Sequence, residues 1–331
     1  MEGFLLKKIS KLKLNQFFSN LQSDYEVYLP IQKGDIYEFE ILKNDSVYNL
    51  LEPTYTSFKK IIFPQKQEVS NFMDGKFVSS GKPFKRVIFG LNSEDIQAVN
   101  ILRDIAEKPI VDQVMMENLE STSFVLVVEG QIKKTKIIVS EITEGYDLLV
   151  IKIDDEFYFD PATEKGKDIC SHAKMQHADL DIEKNSFSEF ALFSNKQMIA
   201  DVIEKSRGDK IWSDLAKVCL GCGNCTDVCP LCYCFDLKDE FSHHDCGSRC
   251  RMWDSCFYKK FDQTTNYNFR EKLEDRIYHF FHHKFVQAYN ERGEFNCNHC
   301  GRCVRACPVD INIFKVLSEL IKKYGENNGK K

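Results

Sequence analysis

Eight cysteines stand in two copies of one spacing. Cys219, Cys222, Cys225 and Cys229 precede Pro230, and Cys297, Cys300, Cys303 and Cys307 precede Pro308. Each copy reads C-x2-C-x2-C-x3-C-P, the run by which bacterial ferredoxins hold cubane iron–sulfur clusters. Two-residue gaps wrap the backbone round one corner of a cubane, so that three thiolates reach three irons. Gly221, Gly223 and Gly301 let that backbone come close. The fourth cysteine lies one step further on, beside a proline, and in two-cluster ferredoxins it ligates the other cluster. The expected ligand sets are therefore Cys219, Cys222, Cys225 and Cys307 for a first [4Fe–4S] cluster, and Cys297, Cys300, Cys303 and Cys229 for a second. Zinc would ask for two C-x2-C pairs, with no third cysteine and no trailing proline.

Five more cysteines lie between the motifs: Cys232, Cys234, Cys246, Cys250 and Cys256. Four of them could bind a third [4Fe–4S] cluster or zinc. Cys232, Cys234 and Cys256 are the first candidates, with Cys246 or Cys250 as the fourth. His243 and His244 beside Cys246 would suit zinc. Cys170, alone of the 14 cysteines outside this region, reads as a small core residue. His279 and His283 share a helical face, either as a metal pair or as packing or solvated groups. Arg270, Lys272, Arg276 and Lys284 on the same stretch could offset the negative charge of thiolate-ligated clusters, or simply face solvent.

The chain shows no G-x-G-x-x-G after a strand, no Walker loop and no G-x-S-x-G. It carries electron-transfer groups without recognisable substrate chemistry, so a relay subunit without catalytic residues is expected. The formal net charge of −5 gives no reason to expect nucleic acid or an anionic membrane as a partner. "MEGFLLKKISKLKL" lacks the apolar stretch of a secretory signal, and no segment approaches the ~20 apolar residues of a membrane span. A cytoplasmic location is expected, where crowded thiols hold metal rather than disulfides.

The elements around the motifs suggest an α+β chain: a mixed α/β domain over residues 1–200, then a mainly helical ferredoxin-like dicluster domain over 201–331. In the first part, Leu14, Phe17, Phe18 and Leu21 fall on one helical face. "YEVYLPI", "KKIIFP", "KRVIFG", "SFVLVVEG", "KKTKIIVS", "YDLLVIKI" and "DEFYFD" read as strands. "SEDIQAVNILRDIAE" reads as a helix capped by Ser93. In the second part, "FSEFALFSNKQMIADVIEKSRGDKIWSDLAKVC" is mostly helical. "NFREKLEDRIYHFFHHKFVQAYNERG" is a long amphipathic helix stopped by Gly293, and "NIFKVLSELIKKY" is the last element before a disordered-looking tail, "GENNGKK".

"CLGCGNCTDVCPLCYCFD", "GSRCRMWDSC", "FREKLEDRIYHFFHHKF" and "CNHCGRCVRACPVDI" together resemble the beta subunit of cytoplasmic sulfhydrogenases and its relative among the components of anaerobic sulfite reductase. "YEVYLPIQKGDIYEF", "KKIIFPQKQ" and "RVIFGLNSEDIQAV" extend the resemblance more weakly through the first half. The resemblance implies an electron-transfer subunit beside a flavin subunit that exchanges hydride with NAD(P)H. The terminal partner would be a nickel–iron hydrogenase, a sirohaem sulfite reductase or a heterodisulfide-reductase-type module. Cys232, Cys234 and Cys256 match the family's "CPxCxCF" and "WDSC" elements, whereas Cys246 and Cys250 match none. The family's N-terminal domain usually has a Cys-Asp pair where this chain reads Ser93-Glu94-Asp95, and a C-F-C cluster further on. The resemblance thus implies that this chain holds no cluster there. Two alternatives stand beside the relay: a thiol, disulfide or sulfite reductase acting directly at the extra cysteines, and a structural metal-binding module.

Overall fold

The computed structural model describes residues 6–73, 76–78, 84–188, 190–241 and 246–325. The chain is α+β. It divides into two units, one of residues 1–62 and 81–188, the other of residues 63–80 and 189–331. No helix of the described residues is long and apolar enough to cross a membrane.

An eight-stranded mixed sheet organises the first unit. Its order is Gln176–His177, Lys7–Ser10, Glu156–Pro161, Leu148–Ile153, Thr122–Glu129, Arg86–Leu91, Glu26–Lys33 and Ile36–Ile41. The three pairings from Leu148–Ile153 through Thr122–Glu129 and Arg86–Leu91 to Glu26–Lys33 are parallel. Thr122–Glu129 is buried over its first six residues, as an apolar strand between parallel neighbours is when both faces are covered. The helix Lys11–Leu21 buries Leu14, Phe17, Phe18 and Leu21, the face its periodicity expects. Phe17 and Phe18 meet the edge of Phe89 at 5.9 and 5.0 Å. Cys170 is buried in this core, and burial pushes its thiol up to about 12.

Two local expectations change in this unit. "KKIIFP" is no strand: Lys59–Ile62 is one helical turn, and the carbonyl of Ile62 accepts from the Asn118 side chain at 3.0 Å instead of joining a ladder. Asn92, not Ser93, caps the helix Ser93–Glu107. Asn92 has extended backbone angles and its side chain accepts from the Asp95 amide. Ser93 is already helical, and its hydroxyl donates to the Glu141 carbonyl.

The second unit differs more from its expected form. Beside its helices it holds a four-stranded antiparallel sheet in the order Phe235–Phe241, Cys246–Trp253, Lys66–Met73 and Lys76–Val78. Half of that sheet comes from a segment the sequence reading assigns to the first domain. Arg251 explains part of the attachment, since its guanidinium lies 4.3 Å from the centre of the Phe63 ring and donates to Gln67 at 2.9 Å. The unit also begins at residue 189 rather than 201. Phe193 is buried in its core against Phe285 and Phe295, 5.8 and 5.2 Å away.

The long helical stretch begins at Leu273, five residues later than the first residue of "NFREKL". It is α-helical to Phe281, π-helical over His282–Gln287, and α-helical again over Ala288–Arg292. Gly293, at φ 74°, ends it as expected. Its buried stripe is Ile277, Phe280, Phe281, Lys284, Phe285 and Ala288. A lysine therefore occupies one core position of an otherwise apolar face. Ile313–Tyr324, capped by Asn312, is the last helix. The tail beyond Gly325 lies outside the described residues.

Candidate metal centre

The two cysteine motifs fold alike. Gly221 and His299, each just before the second cysteine of its motif, have φ 61° and 50°. Gly223 and Gly301, each just after it, have φ 82° and 73° and cap a one-turn helix, Asn224–Asp227 or Arg302–Arg305, which carries the third cysteine. At Gly223 both the left-handed backbone and the space require glycine, because an added Cβ would stand 2.8 Å from the Tyr258 ring. Backbone amides point at the sulfurs: Gly221 N donates to Cys219 Sγ at 3.4 Å, Leu231 N to Cys229 Sγ at 3.4 Å and Ile311 N to Cys307 Sγ at 3.2 Å. Such donors stabilise a thiolate. Asn224 Nδ2 reaches the Ala306 carbonyl at 3.5 Å and ties one motif to the other.

The eight thiols fall into two groups, each mixing the motifs. Cys219, Cys222, Cys225 and Cys307 line one cavity, with apolar walls from Leu215, Phe257 and Phe280, and Cys303 at its margin. Cys307 and Cys222 are the thiols acting most strongly on Cys219. Cys303 feels Cys297, Cys229 and Cys300, and Cys297 feels Cys229 and Cys300. Burial is the main reason that Cys225 and Cys303 are raised well above an ordinary thiol and that Cys297 is pushed up to about 12. Free thiols here hold their protons, so a metal must displace those protons to bind.

Residues 218–311 match the family model of the 4Fe-4S dicluster domain. This stretch is a 4Fe–4S dicluster domain. Over 329 residues the chain is 28% identical to Sulfhydrogenase 2 subunit beta of Pyrococcus furiosus, covering 92% of this chain and 95% of that protein. No solved structure matches the chain.

The dicluster domain fits anionic iron–sulfur groups on grounds of its own. The buried Nε and Nη1 of Arg276 have no hydrogen-bond partner, and Arg276 is among the charges acting on Cys219. Donors left over beside a ligand cysteine suit the sulfur of a bound cluster. Among the described residues no three His, Cys, Asp or Glu side chains converge as they would round a single ion. A cubane asks for a different arrangement, with each thiolate on its own iron.

Of the five remaining cysteines, the structure brings three near one another. Cys232, Cys234 and Cys256 pack on the same core as Cys225. Cys256 is raised far above an ordinary thiol, first by its hydrogen bond with Cys234 and then by burial. Cys246 and Cys250 do not complete this group. Both lie on the strand Cys246–Trp253, where Asp254 N bonds the Cys234 carbonyl at 3.0 Å. Cys250 is four residues from that point and Cys246 eight, or about 13 and 26 Å along an extended strand. Cys250 Sγ lies instead near Ser248 Oγ and Glu240, at 3.8 and 3.9 Å. His243 and His244 lie outside the described residues.

The helical histidines stack. The rings of His279 and His283 are 5.9 Å apart and 15° from parallel. Burial, then neighbouring charges, lower both to about 4, so both are neutral at pH 7. The four basic residues of the stretch separate. Lys272 is exposed, while Arg270 donates to the buried Asp262 carboxylate at 2.7 Å. Arg276 lies beside the first thiol group. Lys284 is 2% exposed, and its Nζ donates to Cys229 Sγ at 3.2 Å and to the Asn296 carbonyl at 3.0 Å. Burial alone would lower its pKa. Cys229, Cys232, Cys297 and Cys303 outweigh burial and raise it well above an ordinary lysine, so it is an ammonium. Sequence reading grouped Lys284 with its neighbours. The signal that sets it apart is its place four residues after Phe280 and seven after Ile277, on the apolar stripe.

Proposed function

We propose that the chain is the iron–sulfur electron-transfer subunit of a multisubunit anaerobic redox complex. It would link a flavin-bearing, NAD(P)H-dependent subunit to a terminal hydrogenase, sulfite reductase or heterodisulfide-reductase-type subunit. Cys219, Cys222, Cys225 and Cys307 would hold one cluster, and Cys297, Cys300, Cys303 and Cys229 the other. When bound, such clusters accept and release one electron at a time. The chain's own residues do the rest. Backbone amides of Gly221, Leu231 and Ile311 steady ligand sulfurs, and Phe257 and Phe280 keep water from the first group. Arg276 and Lys284 supply positive charge. The observation that carries this reading is one cavity lined by cysteines from both motifs. The name of the Pyrococcus furiosus relative, a sulfhydrogenase beta subunit, supports the choice of complex.

The contact of Cys234 with Cys256 favours one addition, a third metal site at Cys232, Cys234 and Cys256. Anaerobic purification of the native complex tests both parts. The relay reading expects about eight irons per chain and a co-purifying flavoprotein with a hydrogenase or reductase. Iron near half that value, or a chain purified alone that reduces a disulfide or sulfite, overturns it. Iron near twelve per chain identifies the third site as a cluster.

A further inference from the structure

Resting on the dicluster reading, we propose that Lys284 tunes the second cluster. Its positive charge, held against Cys229 in the dry interior, makes that cluster the more easily reduced of the two.

The argument begins with the cost of placing the charge. A lysine ammonium is almost never fully buried unless it is paired. Lys284 spends its hydrogen bonds on one cysteine sulfur and one carbonyl, and it sits 5.1 Å from the centre of the Phe280 ring. A protonated thiol and a carbonyl are neutral, so neither cancels a full charge. A metal-bound Cys229 thiolate does, which places the natural counter-charge of Lys284 in the cluster itself. The side chain rises from the π-helical stretch His282–Gln287, a departure from α geometry that recurs at functional sites.

The consequence is a difference between the two clusters. An added electron makes a cluster more negative, so a fixed cation beside it stabilises the reduced form and raises the potential. Local charge is one of the levers by which proteins set cluster potentials. Lys284 is shielded from mobile ions, and its effect is therefore little screened. The cation beside the first group, Arg276, is only half-buried, and its buried nitrogens bond no sulfur. The two clusters thus share a ligand pattern but not an electrostatic setting, and an electron entering the pair settles on the second.

The test is a redox titration of anaerobically prepared full-length chain, followed by electron paramagnetic resonance and paired with iron analysis. Cys222→Ser and Cys303→Ser assign the signals to the first and second cluster. In the unsubstituted chain the second cluster should have the higher midpoint. Lys284→Gln should keep its iron. It should lower the second midpoint by at least 59 mV, a tenfold change in a one-electron equilibrium, and move the first by less. Lys284→Arg should restore the original order. An unchanged second midpoint at full iron content, or an equal shift in both, overturns the proposal. Should Lys284→Gln lose the second cluster, Lys284→Arg decides: iron and order kept support the charge role, and loss in both variants overturns it. A chain that shows no pair of signals before any substitution refutes the dicluster reading instead.

Discussion

The exchange of fourth ligands between the motifs can be tested by pairs of substitutions. Cys303 and Cys307 are four residues apart in sequence, while Cys222 and Cys307 are separated by most of the domain. Yet Cys307 shares its cavity with Cys219, Cys222 and Cys225, and Cys303 is under the influence of Cys297, Cys229 and Cys300. Each serine variant should remove or convert one cluster, costing up to four of about eight irons. The double variant Cys222→Ser with Cys307→Ser should lose no more than either single variant, because both changes strike the same cluster. Cys303→Ser with Cys307→Ser should lose nearly all of the iron, because each strikes a different one. This is the logic of a double-mutant cycle with iron as its readout. Colorimetric iron analysis of anaerobically purified protein, with the visible absorbance that bleaches on reduction, measures it. If the distant pair is additive and the near pair is not, each motif keeps its own four thiolates and the exchange of fourth ligands is wrong.

Three further outcomes follow from the fold. Asp209 caps the helix Lys210–Val218 and accepts at 2.5 Å from Lys323, so Asp209→Ala should cost about 1 kcal/mol in denaturant titrations. Its carboxyl is held down to about 2, chiefly by the hydrogen bonds from Lys323 and Tyr324. Because the folded value lies below the unfolded one, this contribution is present above pH ~4 and lost as pH falls towards ~2; a variant whose acid unfolding profile matched the parent's would contradict it. Gly223→Ala should destabilise by about 1–2 kcal/mol from its left-handed backbone alone, and by more from the contact with Tyr258; unchanged stability and iron uptake would show that the loop adapts. Phe285→Ala, which empties a position where two further phenylalanine rings meet, should cost about 3–5 kcal/mol; a loss under about 1 kcal/mol would mean that this core is loosely packed.

Much of the dicluster domain was written in local spacing. The 2-2-3 gaps, the glycines at 221, 223 and 301 and the prolines at 230 and 308 each act within a few residues, so the two matching loops are legible without a structure. The helix faces of Leu14–Leu21 and Ile313–Tyr324 and the strands of the first unit's sheet are legible for the same reason, since apolar periodicity reports which side of an element is covered. Tertiary structure alone decided what lies far along the chain. It gave Lys66–Met73 to the strand Cys246–Trp253 and made a helical turn of Lys59–Ile62. It carried Cys246 and Cys250 away from Cys234 along an extended strand. It also turned one of four similar basic residues into a buried ammonium against a cysteine sulfur. The physical reason is the same in each case. A thiol, a strand edge or a lysine is chemically identical wherever it stands, and its environment is set by groups that folding brings in from elsewhere, which no spacing within a short window contains.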